Sequence, residues 1–165
     1  MPRPIALTAC LLTGLALAAP AQADDMDMSM PSGHHHTSGF SFGAPAPEAQ
    51  ATRTIAITMN ATTFTPAAVT VKPGETVRFL LTNTAGGDHE FVLGDTATQL
   101  AHRAAMPAMM HGAMSMEHDE PNGITVHRGE TRAFTWTFAG AGTLEYDCNI
   151  PGHFEAGMHG VVTVK

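Results

Sequence analysis

Residues 54–83 read TIAITMNATTFTPAAVTVKPGETVRFLLTN, and the alternation in this stretch decides the fold. Ile55, Ile57 and Met59 fall on one face of an extended chain, and Val77, Phe79 and Leu81 do the same further on. A period of two sends one face to a core and the other towards water, the pattern of a half-buried strand. Lys72-Pro73-Gly74-Glu75 is a turn signal between Val69-Thr70-Val71 and the strand Thr76 to Asn83. Asn83-Thr84-Ala85-Gly86-Gly87 then breaks that strand.

Working towards the C-terminus, His89-Glu90-Phe91-Val92-Leu93 is short and strand-like. Strand signals resume at Ile124 to His127, Thr131 to Phe138, Thr143 to Cys148 and Val161 to Val164. Arg128-Gly129-Glu130 and Ala139-Gly140-Ala141-Gly142 supply turns. Between about 95 and 123 the alternation is lost; the pattern predicts a short helix over 96 to 105, then a loop crowded with Met and His. Seven to eight short strands with frequent turns and little helix predict an all-β Greek-key sandwich over 54–165, with the Met/His-rich segment as an insertion. The architecture alone says nothing about function.

Towards the N-terminus, residues 1–23 have the form of a secretory signal peptide. Arg3 precedes an apolar run from Ile5 to Ala19, and Ala21-Gln22-Ala23 is a small-x-small cleavage site followed by Asp24-Asp25. Cleavage there predicts export to the periplasm with no membrane span left, the run being short for one. Residues 24–53 contain Met26, Met28, Met30, His34-His35-His36 and a Gly/Ser/Ala/Pro stretch without apolar periodicity, and are predicted to be a disordered tail and linker.

The chain has 8 basic against 15 acidic residues, which excludes nucleic-acid binding through a basic face. Its 11 Met and 10 His stand out beside one Trp and one Tyr; thioether suits Cu(I), and imidazole suits copper in either state. Of its 2 cysteines, Cys10 lies in the leader, so the exported chain keeps only Cys148 and forms no internal disulfide.

The neighbours of Cys148 give that thiol a task. In Cys148-Asn149-Ile150-Pro151-Gly152-His153-Phe154-Glu155-Ala156-Gly157-Met158, thiolate, imidazole and thioether recur at Cys-x4-His-x4-Met spacing within one loop between two strands. Cys and His are strong ligands, Met is a weak axial one, and a second His must come from elsewhere in the chain. This is the ligand set of a mononuclear thiolate-copper electron-transfer site. Ligand protonation should weaken binding at low pH. Met158 is also compatible with ordinary packing, and His102, His111 and His118 are further histidines in the neighbourhood of the second-His position. His159 should face away from Met158, because adjacent strand residues point oppositely, and His127 sits beside Arg128 as an exposed strand-end residue.

At these residues the sequence resembles the cupredoxins, the small blue-copper proteins. Phe64-Thr65-Pro66, Val69-Thr70-Val71 and Gly74-Glu75-Thr76-Val77 look like the family's opening strands. Asn83 followed by His89 looks like the segment bearing the first His ligand, and Tyr146-Asp147-Cys148, His153 and Met158 look like the ligand loop. The resemblance covers about 54–165. It implies His89, Cys148 and His153 as equatorial ligands of a type 1 copper and Met158 as the axial one. It also implies that Asp88 presents a carbonyl near the metal, that Asn83 ties the two ligand segments together, and that a redox partner docks on the apolar surround of His153: Pro151, Gly152, Phe154, Ala156 and Gly157. Multicopper oxidases flank the ligand cysteine with histidines, whereas here Asp147 and Asn149 do so; a dinuclear thiolate-bridged site needs a second cysteine. An enzyme is therefore not expected.

A plain electron carrier has no need of Met106, Met109, Met110, His111, Met114, Met116 and His118 crowded together. Thioether-rich segments bind Cu(I) without a rigid cavity, although Met-rich surfaces also serve as lids or docking patches. A cupredoxin core with such appendages looks like the periplasmic cupredoxins of bacterial copper tolerance. That implies copper handling, with extra Cu(I) capture at a second site in these residues. The rival reading is a dedicated electron-transfer protein serving a respiratory or oxidase partner.

Overall fold

The computed structural model describes residues 39–111 and 119–165, with the side chains of residues 110 and 111 left undescribed. Among the described residues, ten strands form two five-stranded sheets. The first has the order β1 (Gly43–Pro45), β8 (Thr131–Phe138), β5 (Thr76–Asn83), β2 (Arg53–Met59), β3 (Phe64–Thr65). The second runs β4 (Ala68–Val71), β10 (His159–Val164), β9 (Gly142–Asp147), β6 (His89–Gly94), β7 (Gly123–Val126). β2 pairs with β5 and β4 with β10 in parallel, and the other ladders are antiparallel. This is the expected all-β sandwich.

Alternation does what the sequence demands. Ile57, Met59, Val77, Phe79 and Leu81 from the first sheet meet Phe91, Leu93, Tyr146, Val162 and Val164 from the second in one core. Aromatic rings run through it: Phe79 packs on Phe91 at 5.3 Å, and Phe91 stacks on Tyr146 at 5.2 Å. β6 is buried at every position, without alternation. The core covers one of its faces, and α1 (Thr96–His111) lies over the other.

Two expectations are corrected. Residues 39–53, predicted as part of a disordered linker, are built into the sandwich. β1 pairs with β8, so that Gly43 lies opposite Phe138 and Pro45 opposite Trp136, and a 3-10 turn follows at Glu48–Gln50. The cause is Phe40-Ser41-Phe42: both rings lie 5.6 Å from Trp136, and Phe42 is buried. The helix, predicted to stop near 105, continues to His111 through Pro107. Asp95 caps its start by accepting the Thr98 N–H at 2.8 Å. Beyond the expected end, Met106 is 1% exposed in the core and Met109 packs beside it; this burial offsets the hydrogen bond that Pro107 forfeits. The predicted signal peptide, Met26, Met28, Met30, His34–His36, Met114, Met116 and His118 lie outside the described residues. No helix of the described residues is long and apolar enough to cross a membrane.

Candidate metal centre

Cys148 follows β9, and the loop 148–158 closes on itself. Cys148 N donates to Met158 O at 3.1 Å, Met158 N to His153 O at 3.0 Å and His153 N to Ile150 O at 2.9 Å. Gly152 and Gly157 take the positive φ values, +89° and +101°, that so tight a path requires. β9 pairs with β10 immediately outside the loop, so Asp147 lies opposite His159 and both loop ends are held by ladder hydrogen bonds.

His89 opens β6, in the same sheet, and its ring meets that loop. His89 Nδ1 lies 3.2 Å from His153 Nδ1, His153 Nδ1 lies 3.2 Å from Cys148 Sγ, and Cys148 Sγ lies 3.8 Å from His89 Nδ1. The centre of such a triangle is about 2 Å from each corner, the length of a bond from a first-row metal ion to imidazole. Among the described residues this is the one group of three His, Cys, Asp or Glu donors so gathered. Cys148 and His89 are buried, and His153 is half-buried on the loop's outer side. Met158 is fully buried beside Cys148 and Ile150 in the same cluster.

The electrostatics match a metal-ligand set. Burial, then the neighbouring His153, holds His89 below the ordinary imidazole range, so its lone pair is free at neutral pH. Burial pushes the Cys148 thiol up to about 12, against the pull of the Glu90 and Ile150 N–H groups. A cation here would displace that proton and hold the thiolate. Glu90 N already donates to Cys148 Sγ at 3.4 Å, which orients the sulfur.

The other predicted residues have partners of their own. Asn83 Nδ2 donates at 2.9 Å to Gly87 O and to Val126 O, so it braces the approach to His89 against β7 and does not bridge to the cysteine loop. Asp88 Oδ2 holds His127 Nδ1 at 3.0 Å, which makes His127 half-buried and partnered, not simply exposed. His102 is buried between Glu90, at 3.5 Å, and Glu120, at 3.3 Å, and is not among the gathered donors. His159 is exposed as expected and packs on Phe154. Of the seven residues expected to form a second site, Met106 is a core residue and Met109 is half-buried against the core; the side chains of the other five lie outside the described residues.

Sequence reasoning missed the polar face of α1. Gln99 Nε2 donates to Val92 O at 2.7 Å and Gln99 Oε1 accepts from Asn149 Nδ2 at 3.0 Å. Arg103 donates to Asp147 Oδ2 at 2.9 Å and to Asn149 Oδ1 at 3.2 Å. The available signal was Gln99, His102 and Arg103 at i, i+3 and i+4, one helical face, in a chain where polar residues flank the cysteine.

Residues 51–165 match the family described as copper binding proteins, plastocyanin/azurin family. The chain belongs to this cupredoxin family. It is 45% identical over 113 residues to the copper-resistant cuproprotein CopI of Rubrivivax gelatinosus, a match spanning 68% of this chain and 66% of that protein. It is 38% identical over 137 residues to the protein of the same name from Pseudomonas aeruginosa, spanning 68% of this chain and 76% of that one. Among solved structures, auracyanin B superposes with a TM-score of 0.61 at 24% identity, covering 77% of this chain and 96% of that one, a likeness of fold. Auracyanin A, a blue copper protein from Chloroflexus aurantiacus, gives 0.55 at 26% identity and covers 68% and 98%. Copper is therefore the metal this cupredoxin binds.

Proposed function

We propose that this cupredoxin is an exported, periplasmic copper-handling protein whose core would hold one type 1 copper through His89, Cys148 and His153, with Met158 as a further ligand. The observation that carries the reading is the meeting of two Nδ1 atoms and one buried sulfur within 3.8 Å. When bound, copper supplies a Cu(I)/Cu(II) couple. The residues supply a fixed frame: β6 and the closed 148–158 loop hold the donors in one arrangement for both oxidation states, so little reorganises on electron transfer. In this reading the protein acts as a carrier, not as an enzyme. Met109, Met110, His111, Met114, Met116 and His118 add Cu(I) capture. Met106 is withdrawn from that set, because its thioether is occupied in the core.

A dedicated electron carrier is the second reading, favoured by the surround of His153, where Pro151, Gly152, Ala156 and Gly157 are exposed and Phe154 is half-buried. A redox partner would dock there. Copper equivalents per chain separate the two. Cu(I) titration against a competing chelator should give more than one equivalent for the full protein. With Met110, Met114 and Met116 changed to Leu and His111 and His118 to Gln, it should fall towards one. One equivalent in both proteins would leave the electron carrier as the correct reading.

A further inference from the structure

The contacts of Arg103 are not those of a generic helix staple. Its guanidinium donates from Nη2 to Asp147 Oδ2 at 2.9 Å and from Nε to Asn149 Oδ1 at 3.2 Å, and its Cζ lies 3.3 Å from the centre of the Phe154 ring. Asp147 and Asn149 are the residues on either side of Cys148, and Phe154 follows His153. One planar group from the inserted helix thus touches the chain next to two of the three gathered donors, and two of its three contacts lie in the loop itself. Asp147 is fully buried, and its charge partner among the described residues is Arg103. Asn149 is 1% exposed, with its amide shared between Arg103 and Gln99, so α1 specifies the orientation of that side chain from both ends. Phe154 in turn packs on His159, at the start of β10.

We propose that Arg103 is a positioning residue for the copper loop: by gripping Asp147, Asn149 and Phe154 together it sets the placement of Cys148 and His153, and so ties helix α1 to the copper centre. This rests on the assignment of copper to His89, Cys148 and His153. A guanidinium suits the task because its rigid fork bonds two acceptors while its face lies on a ring; lysine offers a point charge without that fork. The outer partners of metal ligands commonly govern affinity by about 10- to 100-fold.

The test compares Cu(II)-loaded wild type, Arg103→Lys, Arg103→Gln and, as a control, Arg53→Gln, which breaks the Arg53–Glu75 pair on another part of the surface. The readouts are the ratio of the thiolate-to-copper absorption bands, the reduction potential and the rate of copper loss to a chelator. Arg103→Gln should change the band ratio, shift the potential and weaken copper retention about 10- to 100-fold. Arg103→Lys should fall between it and wild type, and Arg53→Gln should match wild type. If Arg103→Gln does not accumulate, the lysine variant decides alone. Band ratio, potential and retention unchanged in the Arg103 variants, even with a lower melting temperature, would reduce Arg103 to a structural staple and overturn the proposal. A wild type without any thiolate-copper band would overturn the copper assignment beneath it instead.

Discussion

His102 shows how a residue's surroundings decide its role. Burial works against a charge on this imidazole, but Glu120 and Glu90 outweigh it and raise its pKa to about 9. The unfolded value is 6.5. The charged form is thus favoured by folding, and its contribution is complete below about pH 6.5 and is lost as the pH rises through about 9. The shift corresponds to roughly 3 kcal/mol at most. Urea unfolding of the metal-free protein should therefore show wild type losing stability, relative to His102→Gln, between about pH 6.5 and 9. Parallel stability curves for the two proteins across that window would contradict the ion pairing. In the sequence His102 was one more histidine near a ligand candidate. The carboxylates that claim it come from β6 and from the segment just before β7, and that pairing over distance leaves no trace in local spacing.

At the scale of elements, strands such as β2 and β5 were legible because a half-buried sheet writes a period of two into the chain. The Cys-x4-His-x4-Met loop was legible because Cys148, His153 and Met158 are close in sequence. The rest was hidden by competing local signals. Gly, Ser and Pro around Phe40 and Phe42 masked an edge strand whose anchor, Trp136, lies far along the chain, and Pro107 masked a helix that tertiary burial extends. Met106 read as a metal ligand for the same reason: a thioether suits copper and a core equally. Phe42→Ala and Met106→Ala should each cost about 3 kcal/mol or more in chemical unfolding. Met106→Ala should leave the number of Cu(I) equivalents unchanged. A surface-like cost below about 0.5 kcal/mol for either would contradict its place in the core. Gln99, His102 and Arg103 show the converse case: a polar face that looks like a solvated surface is turned inward onto β6, β9 and the ligand loop.

For the whole molecule, two sheets packed on an aromatic core supply a scaffold with apolar faces of its own, and copper adds to its stability by mass action. The sandwich brings a strand start, His89, against a loop that begins at one strand end and closes beside the next. That single juxtaposition gathers one thiol and two imidazoles where a metal ion would fit. The same frame carries the inserted helix against the back of the site, so the Met/His-rich run continues from an element that already touches the ligand loop. The central claim is that Cys148 binds copper as a thiolate in company with His89 and His153. The most direct measurement is the visible absorption spectrum during a Cu(II) titration of the protein, beside a Cys148→Ser control. The account predicts an intense band that saturates at one equivalent and is absent from the control. No intense band in the wild type, or the same band in the serine variant, would contradict it.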